Sequence, residues 1–484
     1  MENKRWTRAF MGVIPPFALF VIVLFFPYQI AIIDALTVQP LAEYGIHIHF
    51  WRIVFEPFLG PLLYFNRAIN PLQELPIAVM WILVLYLVYG LMQLKPLQSI
   101  LLRRKKLLRI LGNLPLLVGI GFGIFVILLF IPLPNNTIVN NSQNDILVTT
   151  HTHTEYSHDG LTSQKNMWKW HKRNGFDAFF ITDHANHKKT LEFSEQQRNN
   201  KFPLKPLVLV GQEHSGSNHM SLLGLDGSFV TKDKPDSSIV KLTHKYGGAV
   251  IVNHWFDGKG KEKEFYKALG VDGFEIENVG KELYYDRSQF RELKKYCEEN
   301  GLIMVGGLDY HGYGRVCAIW NAFTIPNWSG MDPDHKESAI LQILRERDQS
   351  KLKVLMYRDR PLNEGLSPLF GPIVTVVNYF RTLNSFQVVS WILWWGVLQL
   401  FLKFKKANVM GWDKTLAIAG GANALFLLVL GVLYFLRGQV IEGYSDLYDE
   451  YSSLLFIIGG VLAVYSAMVI YSRFFAQQKI GRKE

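Results

Sequence analysis

"ILVTTHTHTEYSHDG", residues 146–160, runs from a β-branched stretch into three histidines, a glutamate and an aspartate within ten residues. The first part has the composition of a buried strand. The second has the side chains that bind metals through nitrogen and oxygen. Parallel α/β folds place their chemistry at the carboxyl ends of strands, because those ends face one rim. Reading this stretch as a strand followed by a ligand loop therefore sets the expectation for the residues around it.

The same arrangement recurs downstream. Between 145 and 350, short apolar runs alternate with amphipathic ones, and further strands are expected at 177–182, 206–211, 220–225, 248–253, 273–278 and 302–308. Helices are expected between them at 163–174, 237–246, 261–269 and 282–299. Strands alternating with helices imply a parallel sheet, either open or closed into a barrel. After the first strand come His151, His153 and Asp159, and after the second Asp183 and His184. Glu213, His214 and His219 follow the third, with His219 opening the fourth; Asn253 and His254 end the fifth, and Asp309 and His311 the last.

Any one of these features is weak, since a strand-end carboxylate usually caps a helix. Five strand ends supplying His, Asp or Glu in one segment point instead to a polynuclear metal site. Twelve of the fourteen histidines lie between 151 and 335. Imidazole and carboxylate without thiolate suit Zn²⁺, Mn²⁺ or Fe²⁺ and argue against Ca²⁺ or Mg²⁺ alone. The two cysteines, Cys297 and Cys317, form no CxxC pattern and are expected as unpaired core residues. His47 and His49 repeat the His-x-His spacing without partners nearby in sequence, so no metal role is expected for them. His158 and His187 are expected in solvent, and Asp183 as a turn residue that orients His184.

"HTHTEYSHDG", "TDH", "GQEH…HMSLLG", "VNH" and "GGLDYHG" resemble, in order and approximate spacing, the motifs of the PHP (polymerase and histidinol phosphatase) family. The resemblance covers roughly 145–355, including a closing helix and strand at 336–355. It implies a distorted (β/α)₇ barrel with up to three divalent metals, Zn, Mn or Fe, in a cleft at the strand ends. By position, His151, His153, Glu213 and Asp309 would hold the first metal. Glu213 would bridge to a second, completed by His219 and His254, with His214 as a competitor for the role of His219. Asp159, His184 and His311 would hold the third. The implied reaction is hydrolysis of a phosphomonoester or phosphodiester by a metal-bound hydroxide, with Arg315 placed to receive phosphate oxygens. A metal- or phosphate-binding receptor or transporter accessory domain without catalysis is the alternative.

The flanking sequence has a different character. Of the 484 residues 49 % are hydrophobic, and apolar runs long enough to cross a bilayer lie near 10–33, 76–94, 114–131, 386–402, 416–436 and 454–471. The net charge is +10, yet residues 135–385 hold 31 Lys and Arg against 30 Asp and Glu, which gives no support for a nucleic-acid-binding face. The excess sits beside the apolar runs, at 2–8, 103–109, 403–406 and the far end. By the positive-inside rule these clusters are cytoplasmic and the metal domain extracytoplasmic, in a multi-pass protein of the cytoplasmic membrane. Residues 1–134 are thus expected as a membrane region, 135–360 as the metal domain and 361–484 as a second membrane region. Segments 46–65 and 366–380, broken by Arg52, Glu56 and prolines, are expected at the interface. Expected partners are the bilayer and a phosphorylated small molecule or lipid head group, and nucleic acid is not expected among them.

Overall fold

The computed structural model describes residues 2–66, 71–94, 99–184, 187–278, 287–314, 317–361, 365–404, 412–440 and 445–474. Among the described residues there are twelve strands: β1 (Ala31–Asp34), β2 (Tyr44–His47), β3 (Thr137–Asn140), β4 (Asp145–Thr149), β5 (Ala178–Ile181) and β6 (Leu207–Ser215), then β7 (His219–Leu223), β8 (Ala249–Val252), β9 (Gly273–Asn278), β10 (Ile303–Gly307), β11 (Ile319–Thr324) and β12 (Leu352–Arg358). Ten form one curled, open sheet in the order β1-β12-β11-β4-β5-β6-β7-β8-β9-β10, while β2 pairs with β3 separately. The run Asp145–Thr149 is buried throughout, as a strand covered on both faces must be. Helices Gln164–Arg173, Lys188–Arg198, Asp236–Lys245, Lys263–Leu269, Ser288–Asn300 and Pro333–Glu346 lie between the strands.

The sheet is mixed, which corrects the expectation of parallel strands alone. β4, β5 and β6 run parallel, and so do β8, β9 and β10, but β7 is antiparallel to both its neighbours. The hairpin reversal between β6 and β7 is what brings His219, at the start of β7, onto the rim where the parallel strands end. At the far side β10 and β11 share no backbone ladder. Instead the Asn321 amide accepts from Gly306 N at 2.7 Å and donates to Gly306 O at 2.8 Å.

Among the described residues, four helices have the length and apolarity to cross a membrane: Glu74–Met92, Ile100–Phe130, Trp412–Val440 and Leu447–Phe474. The last two pack on Ile100–Phe130 around Leu116, Ala417, Ala424, Leu427 and Leu455. Small residues bring these backbones close, as at Gly123, where an added methyl would run into Asn423. Ile14–Phe25 and Ser385–Phe401 are shorter apolar helices. The expected apolar span at 10–33 is corrected, because its helix ends at Phe25 and Ala31–Asp34 becomes a strand paired with β12. A continuous apolar run does not by itself tell a buried strand from a helix, and here the sheet edge took the end of the run. Residues 50–54 and 56–66 form two short helices, and Gly371–Arg381 packs against the second of them.

Candidate metal centre

The rim of the sheet is assembled by backbone hydrogen bonds that continue past the strands. Glu213 N donates to Thr182 O, Asp309 N to His151 O, His153 N to Tyr310 O and Leu161 N to His311 O, at 2.8–3.1 Å. The ligand loop after β4 doubles back tightly, since a Cβ on Gly160 would lie 1.9 Å from Thr154 O. Asp183 takes part in this fold: it accepts from Thr154 N at 2.5 Å and from the Thr154 hydroxyl at 2.7 Å. It therefore holds the loop of His151 and His153, where the sequence suggested it would orient His184. Two residues of the rim, His254 and Asp309, have φ of 27° and 49°, unusual for residues with a side chain and typical of functional strand ends.

Glu213 is the centre of the cluster. Its Oε1 lies 3.2 Å from His151 Nε2, 3.2 Å from His219 Nδ1 and 3.6 Å from His254 Nε2. Its Oε2 lies 3.2 Å from His153 Nε2 and 3.0 Å from His184 Nε2. Asp309 Oδ1 is 3.3 Å from His151 Nε2 and 3.5 Å from His153 Nε2. Asp159 Oδ2 is 3.0 Å from His311 Nε2 and 3.5 Å from His184 Nε2. Four triads have donor atoms all within 4.8 Å of one another: His151, His153 and Glu213; His153, Asp159 and His184; His153, Asp309 and His311; and His184, Glu213 and His219. All nine residues singled out by the sequence thus converge on one cleft, although His254 is in none of these triads. Arg315 lies outside the described residues.

His214 is aimed elsewhere. Successive residues of a strand face opposite sides, so with Glu213 pointing into the cleft His214 points out, where its Nε2 meets Asp236 Oδ1 at 3.1 Å. His187 is buried against the expectation of exposure, with its ring nitrogens on Gln212 Oε1 and Asp226 O at 2.9 and 2.7 Å. His158 is half exposed beside Asp159, and His49 caps the helix Phe50–Val54 by accepting from Trp51 N. Both cysteines are buried core residues, as expected.

Two supporting side chains, Glu275 and Glu155, were missed in the sequence, and a third, Asn253, was placed at its strand end without a role. Glu275, fully buried on β9, accepts from His151 Nδ1 at 2.8 Å, leaving Nε2 to face the cleft. Asn253 donates to Glu213 Oε1 at 2.7 Å. Glu155, buried within the motif loop, is gripped by Arg437 and by the Tyr448 hydroxyl from the membrane helices. A signal for Glu275 was present, because a carboxylate inside the fully buried strand "GFEIEN" requires a partner. Nothing local marked Glu155, whose partners are 282 and 293 residues away.

The electrostatics are those of a concentrated negative field. Burial alone would lower the imidazole pKa values, yet Glu213, Glu275 and Asp309 hold His151 well above its ordinary value. Against the same burial, hydrogen bonds to Asp309 and Glu213 and the charge of Asp159 push His153 up to about 10. His254 is raised to about 11 through Asp257 and Glu213. Burial would raise the carboxylates, but the surrounding imidazoles hold Glu213, Asp309 and Asp159 well below the usual range. At His184 burial prevails and the pKa is lowered.

The donor set fits a divalent cation of the zinc, manganese or iron type. Two donors held at about 2.1 Å from one cation at a tetrahedral angle lie about 3.4 Å apart. The separations among His151, His153, Glu213 and Asp309, 2.9–3.5 Å, lie around that spacing.

Residues 149–304 match the PHP domain family. No curated protein matches the chain. Among solved structures, PsfC from Pseudomonas syringae is 18 % identical, with 49 % of this chain and 98 % of that one covered at a TM-score of 0.33. A Bifidobacterium adolescentis protein provisionally described as a metal-dependent phosphoesterase is 15 % identical, covering 35 % and 88 %, at a TM-score of 0.28. An amidohydrolase from Chromobacterium violaceum with bound sulfate is 14 % identical, covering 38 % and 98 %, at 0.28. The chain therefore contains a PHP-domain-like fold with clustered metal-binding side chains, joined to helices long enough to span a membrane.

Proposed function

We propose that the protein is a membrane-anchored, metal-dependent hydrolase of phosphomonoesters or phosphodiesters. The observation that carries this reading is the Glu213 carboxylate, whose two oxygens face two different sets of imidazoles, the arrangement expected of a bridge between neighbouring cations. In this reading His151, His153, Asp159, His184, Glu213, His219, His254, Asp309 and His311 hold up to three Zn, Mn or Fe ions within a distorted (β/α)₇ barrel. When bound, such ions supply positive charge that acidifies water and neutralises the oxygens of a phosphoryl group undergoing displacement.

The chain's own residues do the positioning. Glu275 fixes which nitrogen of His151 faces the cleft, Asn253 orients Glu213, and Asp183 braces the loop that carries His151 and His153. His151, His153 and Glu213 form the buried floor, whereas Asp159, His219 and Asp309 retain exposure and define the side from which an ester enters. Arg315, four residues beyond His311, is the candidate for the substrate's remaining oxygens.

An extracytoplasmic position is supported by the helix Ile100–Phe130. It has Arg103, Arg104, Lys105, Lys106 and Arg109 at one end, and Phe130 against the metal domain at the other. The test uses the full-length protein in detergent, loaded with Mn²⁺, Zn²⁺ or Fe²⁺ and offered p-nitrophenyl phosphate, bis-p-nitrophenyl phosphate and glycerophospholipids. Turnover that a chelator abolishes is expected. Metal-loaded protein that turns over none of these would put the catalytically inactive metal- or phosphate-binding receptor in its place.

A further inference from the structure

We infer that the phosphoester processed at this centre is carried on a membrane lipid, and that the cleft meets it at the depth of the head groups. The inference rests on the phosphoesterase reading above and names its substrate class.

The first observation is how close the metal cleft sits to the bundle. Helix Ile100–Phe130 has its last basic residue of the cytoplasmic cluster at Arg109, and the 21 residues from there to Phe130 rise ~32 Å, about the thickness of the hydrocarbon layer. Phe130 therefore marks the far edge of the hydrocarbon. From the Phe130 ring it is 5.9 Å to the ring of Tyr313, and from Tyr313 6.1 Å to the ring of His311, one of the nine proposed ligands. Backbone contact confirms the closeness, since Gly314 N donates to Leu129 O at 3.0 Å. The head-group layer extends roughly 5–7 Å beyond the hydrocarbon on each side. His311 and its partner Asp159 thus sit at or just above lipid phosphates.

The second observation is that the mouth of the cleft is built on the helix ends. His158, half exposed and 4.0 Å from Asp159, accepts through its carbonyl from Asp446 N at 3.2 Å, at the start of helix Leu447–Phe474. Glu155, in the same loop, is held by Arg437 at the end of helix Trp412–Val440. Between this loop and that helix lies a cavity of about 370 Å³. The helices line it with Leu433 and Tyr434 and also with the polar Arg437 and Tyr448, and the metal domain faces them with Leu161 and Ser163. Leucine, tyrosine and arginine side by side at a helix end are the mix found at the level where lipid chains give way to head groups.

For a soluble ester this placement has no advantage, and the helix bundle stands beside the approach. For a lipid ester it removes the cost of lifting the chains out of the membrane, about 0.8 kcal/mol for each CH₂ exposed. The chemistry is hydrolysis. The P–O bond to the lipid or head-group alcohol breaks, a P–O bond to the oxygen of water forms, and the proton of that water ends on the departing alkoxide.

The test keeps the full-length, metal-loaded protein in nanodiscs or mixed micelles and compares esters that share a head group. Dioleoyl phosphatidic acid and dioleoyl phosphatidylglycerol are the bilayer-borne probes, and their dibutyryl analogues, with p-nitrophenyl phosphate, the soluble ones. We expect kcat/KM for at least one long-chain ester to exceed that of its dibutyryl analogue tenfold or more. Its rate should follow the mole fraction of lipid in the surface and not its bulk concentration. Equal or faster hydrolysis of the soluble esters would overturn the lipid inference and leave the phosphoesterase reading standing. No turnover of any ester by protein with its full metal content would overturn both.

Discussion

The molecule buries ionisable groups in two places, and they are balanced differently. In the helical region, Arg52 and Glu56 form a buried pair at 2.9 Å, with Arg52 also on Gly60 O and Asn135 and Glu56 also accepting from the Tyr379 hydroxyl at 2.9 Å. One positive charge meets one negative charge, and their remaining hydrogen-bonding capacity is met by protein. In the metal cleft four carboxylates, Asp159, Glu213, Glu275 and Asp309, face imidazoles, and among the described residues no Lys or Arg pairs with them. The first cluster is closed by its own residues. Among the described residues, the second has an excess of one sign left for protons or metal cations to balance. Burial of charge alone therefore does not mark a functional site; burial with an uncompensated sign does.

The largest expected break of this contrast is at Glu213. Glu213→Gln removes the charge shared between two sets of imidazoles, so neighbouring cations would repel with less screening. We expect it to lose more metal than His311→Ala, which is in neither of the triads that contain Glu213, and to abolish turnover. His47→Ala and His49→Ala should change neither. Elemental analysis of the four purified full-length variants decides the matter, and equal metal loss for Glu213→Gln and His311→Ala would remove the bridging role.

The closed cluster should respond in stability and not in metal. Arg52→Met leaves the fully buried Glu56 charge with the Tyr379 hydroxyl but no cation, a change that costs about 3–5 kcal/mol. Arg52→Met combined with Glu56→Leu removes both charges and should recover most of the loss. Thermal unfolding of the detergent-solubilised protein reads this, with metal content unchanged in both variants. A double variant as unstable as the single one would mean that the pair is not a self-contained unit.

Much of this was legible in the sequence, and the physical reasons separate what was from what was not. Strand ends announce their candidate ligands because the chain places them there in order, so His151, His153, His184, His254, Asp309 and His311 could be read locally as candidates. His219 was readable as a candidate, but the antiparallel β7 that delivers it to the rim was not. The edge strand Ala31–Asp34 was hidden in an apolar run that also suits a membrane helix, and its pairing with β12 joins residues more than 300 positions apart. His187 was misjudged because exposure depends on Gln212 and Asp226, which only the fold brings near. Long-range partners of this kind, Arg437 for Glu155 among them, leave no periodicity to read.

The smallest expected effect concerns the protons that balance the cleft when metal is absent. With His153 raised to about 10 and His254 to about 11, both imidazoles carry a proton at pH 8 in the metal-free protein. A metal ligand imidazole must be neutral at the coordinating nitrogen, so loading displaces protons into the buffer. The sign follows directly: apparent metal affinity rises with pH below these values, by about tenfold per unit for each proton displaced. Asp257→Asn removes the carboxylate that lies 2.6 Å from His254 Nδ1, and should lower the His254 pKa and with it the number of protons released. Calorimetric titration of the stripped protein with Zn²⁺ or Mn²⁺ at pH 8, in two buffers of different ionisation enthalpy, counts those protons. A binding heat independent of the buffer would mean that the imidazoles are already neutral before metal arrives, and the contrast between the open and the closed cluster would lose its electrostatic basis.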